Sequence, residues 1–559
     1  MNLLYNVNIY TMDDRFSVCN ALVWENDRIV ATGDRDALSR QYRFESETDG
    51  KNAAVLPGFT DSHIHFFDGA MLQGTIDLTP ENAPDIVTMK RKLAEFAENT
   101  PKEKWIGGQG YDPTALAEKR SPNRYDLDEI CPNQPVVFFH YSVHECVVNS
   151  KALELLGIDA DTPQPYAGEI VKDKNGTPTG RLIEMSAGEA VSQLRESVID
   201  FSEEEIMERI DKVQKLLFSY GVTRIGDPAV SSITRTFYEK ALENRILKIP
   251  VVHYPCDDAN MFALPESKIE KPFEESQSDI IMNGPVKVFL DGADRAAVKI
   301  SAVQALKSLW GSILRSVKKL SLEPLKLMMR SPFVLKSGFN LHFGVMMVPE
   351  KKGQAFISAA IKNGYTLVFH AIGNEAVEQA ADMMKAAGIH HKKTPPPRIE
   401  HALFLTDSCI QKIREHKIAV VTQPEFLSHM GSENVPPLPG IRQLPLRTLI
   451  DNGIRVAGGS DWPVVSCNPF DGIERAVTRR TGETEVLQKE EAVSVKEAIA
   501  MYTSEAAFIL GQSHDVGSLE AGKRADFILL SEDPFKVDKK RLSAIKVIET
   551  YLGGICVHS

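Results

Sequence analysis

The chain has 559 residues, 43% of them hydrophobic and 25% charged, with a formal net charge of −12. Those proportions are ordinary for a globular protein and exclude a disordered or fibrous chain; the acidic balance argues against a general nucleic-acid binder, which needs a basic surface to displace counterions from phosphates. Seven cysteines without a Cys-x-x-Cys pair suit free thiols in a reducing compartment, and Met1–Asn6 opens no secretory leader, so a cytoplasmic location is expected.

Residues 3 to 56 alternate short apolar and polar runs. Val7, Ile9 and Thr11 come first, then Ala21-Leu22-Val23-Trp24, a turn at Glu25-Asn26-Asp27, and Arg28–Gly33, which is hairpin patterning. Val55-Leu56 then meets the turn residues Pro57-Gly58 and continues through Phe59-Thr60-Asp61-Ser62-His63-Ile64-His65. On an extended strand Asp61, His63 and His65 project to one side, and two adjacent imidazoles can grip a metal ion. Taken alone, a His-x-His pair is more readily a polar pair on a solvated strand.

From Pro57 to Gly511 short apolar strands alternate with amphipathic helices, the pattern of repeated β-α units around a parallel sheet. The predicted strands include Pro135–Phe139, Val222–Asp227, Val286–Asp291, Thr366–His370, Arg398–His401, Ile418–Gln423 and Ile454–Asp461, with polar or titratable residues at their ends. A helix is expected after the turn at Gly373-Asn374, running to Gly388. Another should open at the capping box of Ser494 and Glu497 and run from Val495 to Leu510, closed by Gly511. The last fifty residues return to strand patterning at Phe527–Leu530 and Val547–Tyr551. Neither terminal piece has enough core to stand alone. The economical reading is one small β-domain from residues 1–56 plus 512–559, with 57–511 inserted between its halves.

Six titratable side chains sit at or near predicted strand ends: His63, His65, Lys287, His370, His401 and Asp461. In a (β/α)8 barrel the C-terminal strand ends face the active site, so their recurrence is informative. Each alone has a plain alternative, such as a hydrogen-bonded core histidine for His370 or a cap for Asp461. Lys287 interrupts the apolar run Val286-x-Val288-Phe289-Leu290. Buried there, its amine would lose proton affinity and could take up carbon dioxide as a carbamate, an anionic oxygen ligand; the alternative is a lysine snorkelling to solvent.

With Pro57-Gly58-Phe59-x-Asp61-x-His63-x-His65, Asn149-Ser150-x-Ala152-Leu153, His370-Ala371-Ile372-Gly373-Asn374, Glu400-His401-Ala402, Gln423-Pro424, Gly459-Ser460-Asp461-Trp462-Pro463 and Gly517-Ser518-Leu519-Glu520-x-Gly522-Lys523-x-Ala525-Asp526, the chain resembles the amidohydrolase superfamily. Within it the chain is similar to the amidohydrolase family 3, or YtcJ-like, branch, which includes N-substituted formamide deformylase. The resemblance implies an α/β fold with a (β/α)8 barrel and a β-sandwich domain built from both termini. It implies a divalent metal centre, zinc being expected, with one or two ions. His63 and His65 would be the strand-one ligands, Lys287 an N-carboxylated bridge, His370 and His401 further ligands, and Asp461 both a ligand and the proton-transferring aspartate. His144 would polarise or orient the substrate, and Asp291 and Trp462 would contact it. The reaction implied is hydrolysis of a C–N amide-type bond of a small molecule, of the N-acyl or N-formyl amine class, by a metal-activated hydroxide. A deaminase or cyclic-amide hydrolase on the same scaffold, or a non-catalytic barrel used for binding, are the alternatives.

Residues 301–338 depart from this resemblance. Ala302, Leu306, Leu309, Trp310, Ile313, Leu314, Val317 and Leu320 fall at helical spacing among Lys307, Arg315, Lys318 and Lys319. A basic amphipathic helix can lie on a membrane surface. The preferred expectation is a lid or subunit interface, with the apolar face packed over the barrel mouth and Trp310 and Leu314 shaping the pocket. A homo-oligomer is compatible with that reading.

Overall fold

The computed structural model describes residues 1–188, 190, 192, 201–276, 278–293, 295–319, 333–336, 340–388, 395–430, 438–482 and 485–559. The fold is mixed α/β. Both chain ends enter one eight-stranded sheet. Its order is Ile555–His558, Val547–Leu552, Phe527–Leu530, Ala54–Pro57, Asn2–Tyr10, Val18–Glu25 and Arg28–Gly33, with Ser46–Asp49 also paired to Asn2–Tyr10. Phe527 lies opposite Pro57 and Ile528 opposite Leu56, so the C-terminal residues close against the strand through which the chain leaves this sheet. One face buries Leu4, Ile9, Leu22, Trp24, Val55, Phe527 and Leu529 as a local apolar cluster. Alternation along the strands, with the register shift between Tyr5 and Ile9, puts these residues on one side.

Two residues beyond Pro57 the chain enters a second system of strands. Phe59–Asp61, Val222–Val230, Val251–Pro255 and Ile281–Asn283 form one parallel run. Val286–Phe289, Leu367–Ala371, Arg398–His401, Ala419–Thr422 and Val456–Gly458 form another. The runs meet at both ends: Val251–Pro255 packs beside Val286–Phe289, and the Ser62 amide donates to the Gly458 carbonyl at 3.2 Å. Helices make the return connections that parallel pairing demands, including Ser232–Glu243, Asn374–Ala386, Asp407–Glu415 and Leu446–Asp451. In this register Phe289 is opposite His370 and His370 opposite Glu400, so the strands end level and deliver their terminal side chains to one place.

Three sequence expectations are corrected here. Pro135–Phe139 is not one of the parallel β-α strands: Val136–His140 belongs to a separate six-stranded sheet, parallel to Ile106–Tyr111 and antiparallel to Glu145–Val148. A short, continuously buried apolar run carries no mark of which sheet will take it. The expected helix Val495–Leu510 is two helices, Val495–Met501 and Ser504–Ile509. The ring of Tyr502 at the break sits where a Cβ on Gly458 or Gly472 would stand, so packing against these glycines overrides helical continuity. The Ser494–Glu497 capping box is present as expected.

The third concerns the basic excursion. Val298–Ser301, Asn340–Phe343 and Phe333–Lys336 make a small antiparallel sheet, and the helix Ala302–Lys319 emerges from it. Residues 320–332 and 337–339 of the expected lid lie outside the described residues. The helix turns Ser308, Ser312 and Ser316 inward, while Leu306 and Trp310 are 70% and 63% exposed and Leu314 is exposed with them. Its apolar face points away from the protein, not over the cavity. Among the described residues no helix is long and apolar enough to cross a membrane.

Candidate functional site

His63 and His65 follow the end of the strand Phe59–Asp61. The His65 amide donates to the Trp462 carbonyl at 2.9 Å, and the Asp461 amide to the His63 carbonyl at 2.7 Å, which locks the His-x-His segment to the loop after Val456–Gly458. Gly459 permits this approach, because a Cβ there would lie 2.8 Å from both the Cβ and the backbone nitrogen of His63. Asp61 does not join the imidazoles. It is buried and accepts from the amides of His63, at 3.1 Å, and Ser460, at 3.0 Å; burial pushes its carboxyl up to about 6.

Asp461 is the hub. Its Oδ1 lies 3.2 Å from His63 Nε2 and 3.1 Å from His65 Nε2. Burial alone would raise its carboxyl, but His63 and His65 outweigh that and hold it well below the ordinary carboxylate range. One ligand atom each from His63, His401 and Asp461 fall within 4.8 Å of one another. The His401 ring is 5.0 Å from that of His63 and 4.4 Å from that of His370. Lys287 Nζ is 3.4 Å from His63 Nε2 and 4.5 Å above the Phe289 ring, and burial brings its pKa down to about 8. His401 and Asp461 both hold φ in the left-handed region, at 75° and 57°. Neither is glycine, so the surrounding packing holds both in a sparsely populated conformation, as functional sites commonly do.

The imidazoles are aimed from behind. His63 Nδ1 is 2.5 Å from Glu400 Oε2, and Arg398 Nε donates to Glu400 Oε1 at 2.6 Å. Burial opposes the charge on Glu400, yet Arg398 and His63 prevail and its carboxyl is held down at about 2. His401 Nδ1 is 2.8 Å from Gln423 Oε1. Partners on Nδ1 leave Nε2 of each ring turned toward the cluster, the arrangement that fixes metal-binding histidines. His370 Nε2 is buried and makes no hydrogen bond, with Asp291 Oδ1 3.9 Å away. A buried imidazole nitrogen without a hydrogen bond, beside two others and a carboxylate, is a donor set that fits a divalent cation.

His144 approaches from the six-stranded sheet, its Nδ1 2.7 Å from Glu184 Oε2 and its ring stacked 4.6 Å from that of Phe262. Glu184 is fully buried and also accepts from the Arg295 amide at 3.2 Å. Gly292 leaves it room, since a Cβ there would be 2.2 Å from Glu184 Oε1. His65, His144, Lys287, His370, His401 and Asp461 all border one cavity of about 930 Å³, whose remaining wall is largely apolar.

Two expected substrate contacts are placed elsewhere. Asp291 is fully buried and its carboxylate accepts from the amides of Ala297, Ile372 and Gly373 at 2.8–2.9 Å, holding the backbone after His370 in place of facing the cavity. The Trp462 ring is packed where a Gly69 side chain would stand, and it is the neighbouring Pro463 and Val464 that reach the cavity wall. Trp310 and Leu314 do not line the cavity, whereas Ser308 of the same helix does. The supporting residues Glu400, Gln423, Glu184 and Arg398 were not picked out as site residues from sequence. Glu400 and Gln423 each stand next to a recognisable residue, but their pairing with particular rings is a tertiary fact.

The sequence profile of the amidohydrolase family matches residues 46–558. The chain is 27% identical to N-substituted formamide deformylase of Arthrobacter pascens, over 99% of this chain and 97% of the relative. It is also 27% identical to the putative amidohydrolase YtcJ of Bacillus subtilis, over 98% of each. A metal-dependent hydrolase from Pyrococcus horikoshii shares its fold with a TM-score of 0.70 and 23% identity, over 96% of this chain and 99% of that one. A triazine-type hydrolase, the atrazine chlorohydrolase TrzN of Arthrobacter aurescens complexed with zinc, aligns with a TM-score of 0.51 and 14% identity, over 100% and 95%.

Proposed function

The chain belongs to the amidohydrolase family and is a hydrolase of carbon–nitrogen bonds, and from that premise we propose that it hydrolyses N-formyl or N-acyl amines at a divalent metal centre in the cavity. The observation that carries this reading is the convergence of His63, His401 and Asp461 beside a His370 Nε2 that makes no hydrogen bond. We read the two parallel runs as one closed (β/α)8 barrel spanning 57–511, and residues 1–56 plus 512–559 as a β-sandwich domain beside it. The metal would be held by His63, His65, His370, His401 and Asp461, with Lys287 N-carboxylated if two ions are bound. Zinc suits imidazole and carboxylate donors, and a fold neighbour is complexed with it. Seven free cysteines support a cytoplasmic setting.

A bound divalent ion supplies Lewis acidity to the attacking water and to the substrate carbonyl. The chain's own residues do the rest. Asp461, kept ionised by its two histidines, accepts the proton from the attacking water and returns it to the leaving nitrogen. His144, with Nδ1 facing the Glu184 carboxylate, presents Nε2 toward the cavity to orient the carbonyl oxygen. Apolar walls exclude bulk water and strengthen each of these interactions.

The test is elemental analysis of the purified full-length chain together with formate release from N-benzylformamide, chosen because a full-length relative is named for N-substituted formamides. At least one zinc per chain, with formate release lost in Asp461→Asn, is expected. A chain that binds no divalent metal would overturn the reading. Metal binding without formate or acid release from any N-acyl amine would leave a metal centre serving another C–N bond.

A further inference from the structure

Apart from the imidazole cluster, the cavity wall carries three arginines, Arg181, Arg209 and Arg295. Two are neutralised. Arg181 makes a bidentate pair with Glu145 at 2.6 and 2.6 Å, and Arg295 pairs with Glu169. Arg209, on the helix Glu203–Ser219, is different. Its Nη1 donates to the Met71 carbonyl at 2.8 Å, and its guanidinium lies 4.1 Å above the Phe201 ring. Gly74 leaves the space it occupies, for a Cβ there would be 2.1 and 2.2 Å from the two terminal nitrogens. Among the described residues no carboxylate comes within 4.0 Å of it. Glu205, one helical turn earlier, has its carboxylate engaged as the helix cap, accepting from the Ser202 amide at 2.8 Å.

We propose that Arg209 forms an oxyanion subsite of this cavity, and that the substrate carries a carboxylate or similar oxyanion at a distance from its scissile bond. The inference rests on the proposed amide hydrolysis only for what the rest of the substrate is. A half-buried guanidinium without an ion pair among the described residues loses more to desolvation than the more distant carboxylates of Glu205 and Glu208 return, so burial lowers its pKa. A bound anion restores the missing partner. Phe201 stacks on the guanidinium face, Gly74 abuts its two terminal nitrogens and Nη1 is held by the Met71 carbonyl, so the Nε and Nη2 edge is the one left to face an oxyanion, already oriented before a ligand arrives. The apolar wall between this fork and the imidazole cluster would accommodate the spacer.

The experiment uses the full-length protein purified with zinc and a ladder of ω-formamido carboxylates of increasing chain length, each with its matching neutral ω-formamido carboxamide and its phosphonate. Binding is read by calorimetry and turnover by formate release, for wild type, Arg209→Gln and Arg209→Lys. At a favoured length the carboxylate should bind about 10- to 100-fold more tightly than the carboxamide, as a charge-assisted bond to a half-buried partner implies. Arg209→Gln should bring that ratio to about one and Arg209→Lys should keep part of it; a phosphonate bound tighter still would assign the subsite to phosphate-type oxyanions. Equal binding of charged and neutral ligands at every length, or a preference that survives Arg209→Gln, overturns the proposal. Arg209-dependent carboxylate binding without formate release would keep the subsite and overturn the formamide reading. Formate release without charge preference would do the reverse.

Discussion

Glu400 offers the sharpest single perturbation. It accepts from Arg398 at 2.6 Å, lies 2.5 Å from His63 Nδ1, and is completely buried. In Glu400→Gln the side-chain amide has one acceptor oxygen for two facing donors, so either His63 or Arg398 meets an NH2 group. Losing the carboxylate also strands the Arg398 guanidinium, which is 1% exposed. Breaking a buried pair in this way costs about 3–5 kcal/mol, and loosening a ligand histidine from its carboxylate costs about 10- to 100-fold in metal affinity or activity. We expect Glu400→Gln to lose stability by about 3–5 kcal/mol in metal-free urea unfolding, and metal affinity by about 10- to 100-fold in a chelator competition. The double variant Arg398→Met/Glu400→Gln removes the stranded charge and should recover most of the stability without recovering the metal affinity. A folded Glu400→Gln chain that holds metal as tightly as wild type would refute the orienting role.

The other expectations are smaller or simpler. Gln423→Ala frees His401 Nδ1 and should lower metal affinity by about tenfold in the same competition assay. Gly292→Ala should displace Glu184, and with it the partner of His144, so kcat should fall more than stability does; equal losses would mean the collision is merely structural. Trp310→Ser and Leu314→Ser should leave KM unchanged for apolar and polar substrates alike, because both side chains point away from the cavity. Glu145, whose burial is outweighed by Arg181, has a folded pKa below its unfolded value of about 4.5. Its stabilising contribution is therefore present above that value and lost as pH falls through the folded one. Denaturant midpoints measured against pH should lose part of their acid-side slope in Glu145→Gln.

What the sequence disclosed and what it withheld divide along a physical line. His65, His370, His401 and Asp461 stand at or just beyond strand ends and Lys287 two residues before one, and level strand ends in a parallel sheet bring such residues together whatever the intervening helices contain. That is a consequence of local pattern. The pairings that tune the site are not local: His63 reaches Glu400 across 337 positions and His144 reaches Glu184 across 40. Sidedness was also withheld. Helical spacing in Ala302–Lys319 reveals an apolar face, yet nothing in that spacing says whether the face or the serine row Ser308, Ser312 and Ser316 meets the protein. Asp291 and Trp462 were named because they adjoin the recognisable segments, and the structure uses both to hold those segments in shape. Arg209 had no signal at all, because its lack of an ion pair among the described residues is a fact of the folded chain.

Lys287 is where the two kinds of evidence meet. It interrupts an apolar strand, is 2% exposed, and among the described residues has no carboxylate within ion-pair distance. A buried ammonium without a partner is costly, and burial lowers its pKa to about 8. The neutral amine is then far more populated at neutral pH than in an ordinary lysine. The neutral amine is the form that takes up carbon dioxide, and the resulting carbamate would replace an unpaired cation beside His63 by an anion able to share a metal with it. If that is the role of Lys287, Lys287→Met, which keeps the apolar stem and removes the amine, should lower the metal content per chain. Wild-type protein, but not this variant, should incorporate carbon-labelled bicarbonate. If Lys287 only fills space above Phe289, the methionine variant will retain wild-type metal content and turnover, and the carbamate must be abandoned for a centre built from the four histidines and Asp461 alone.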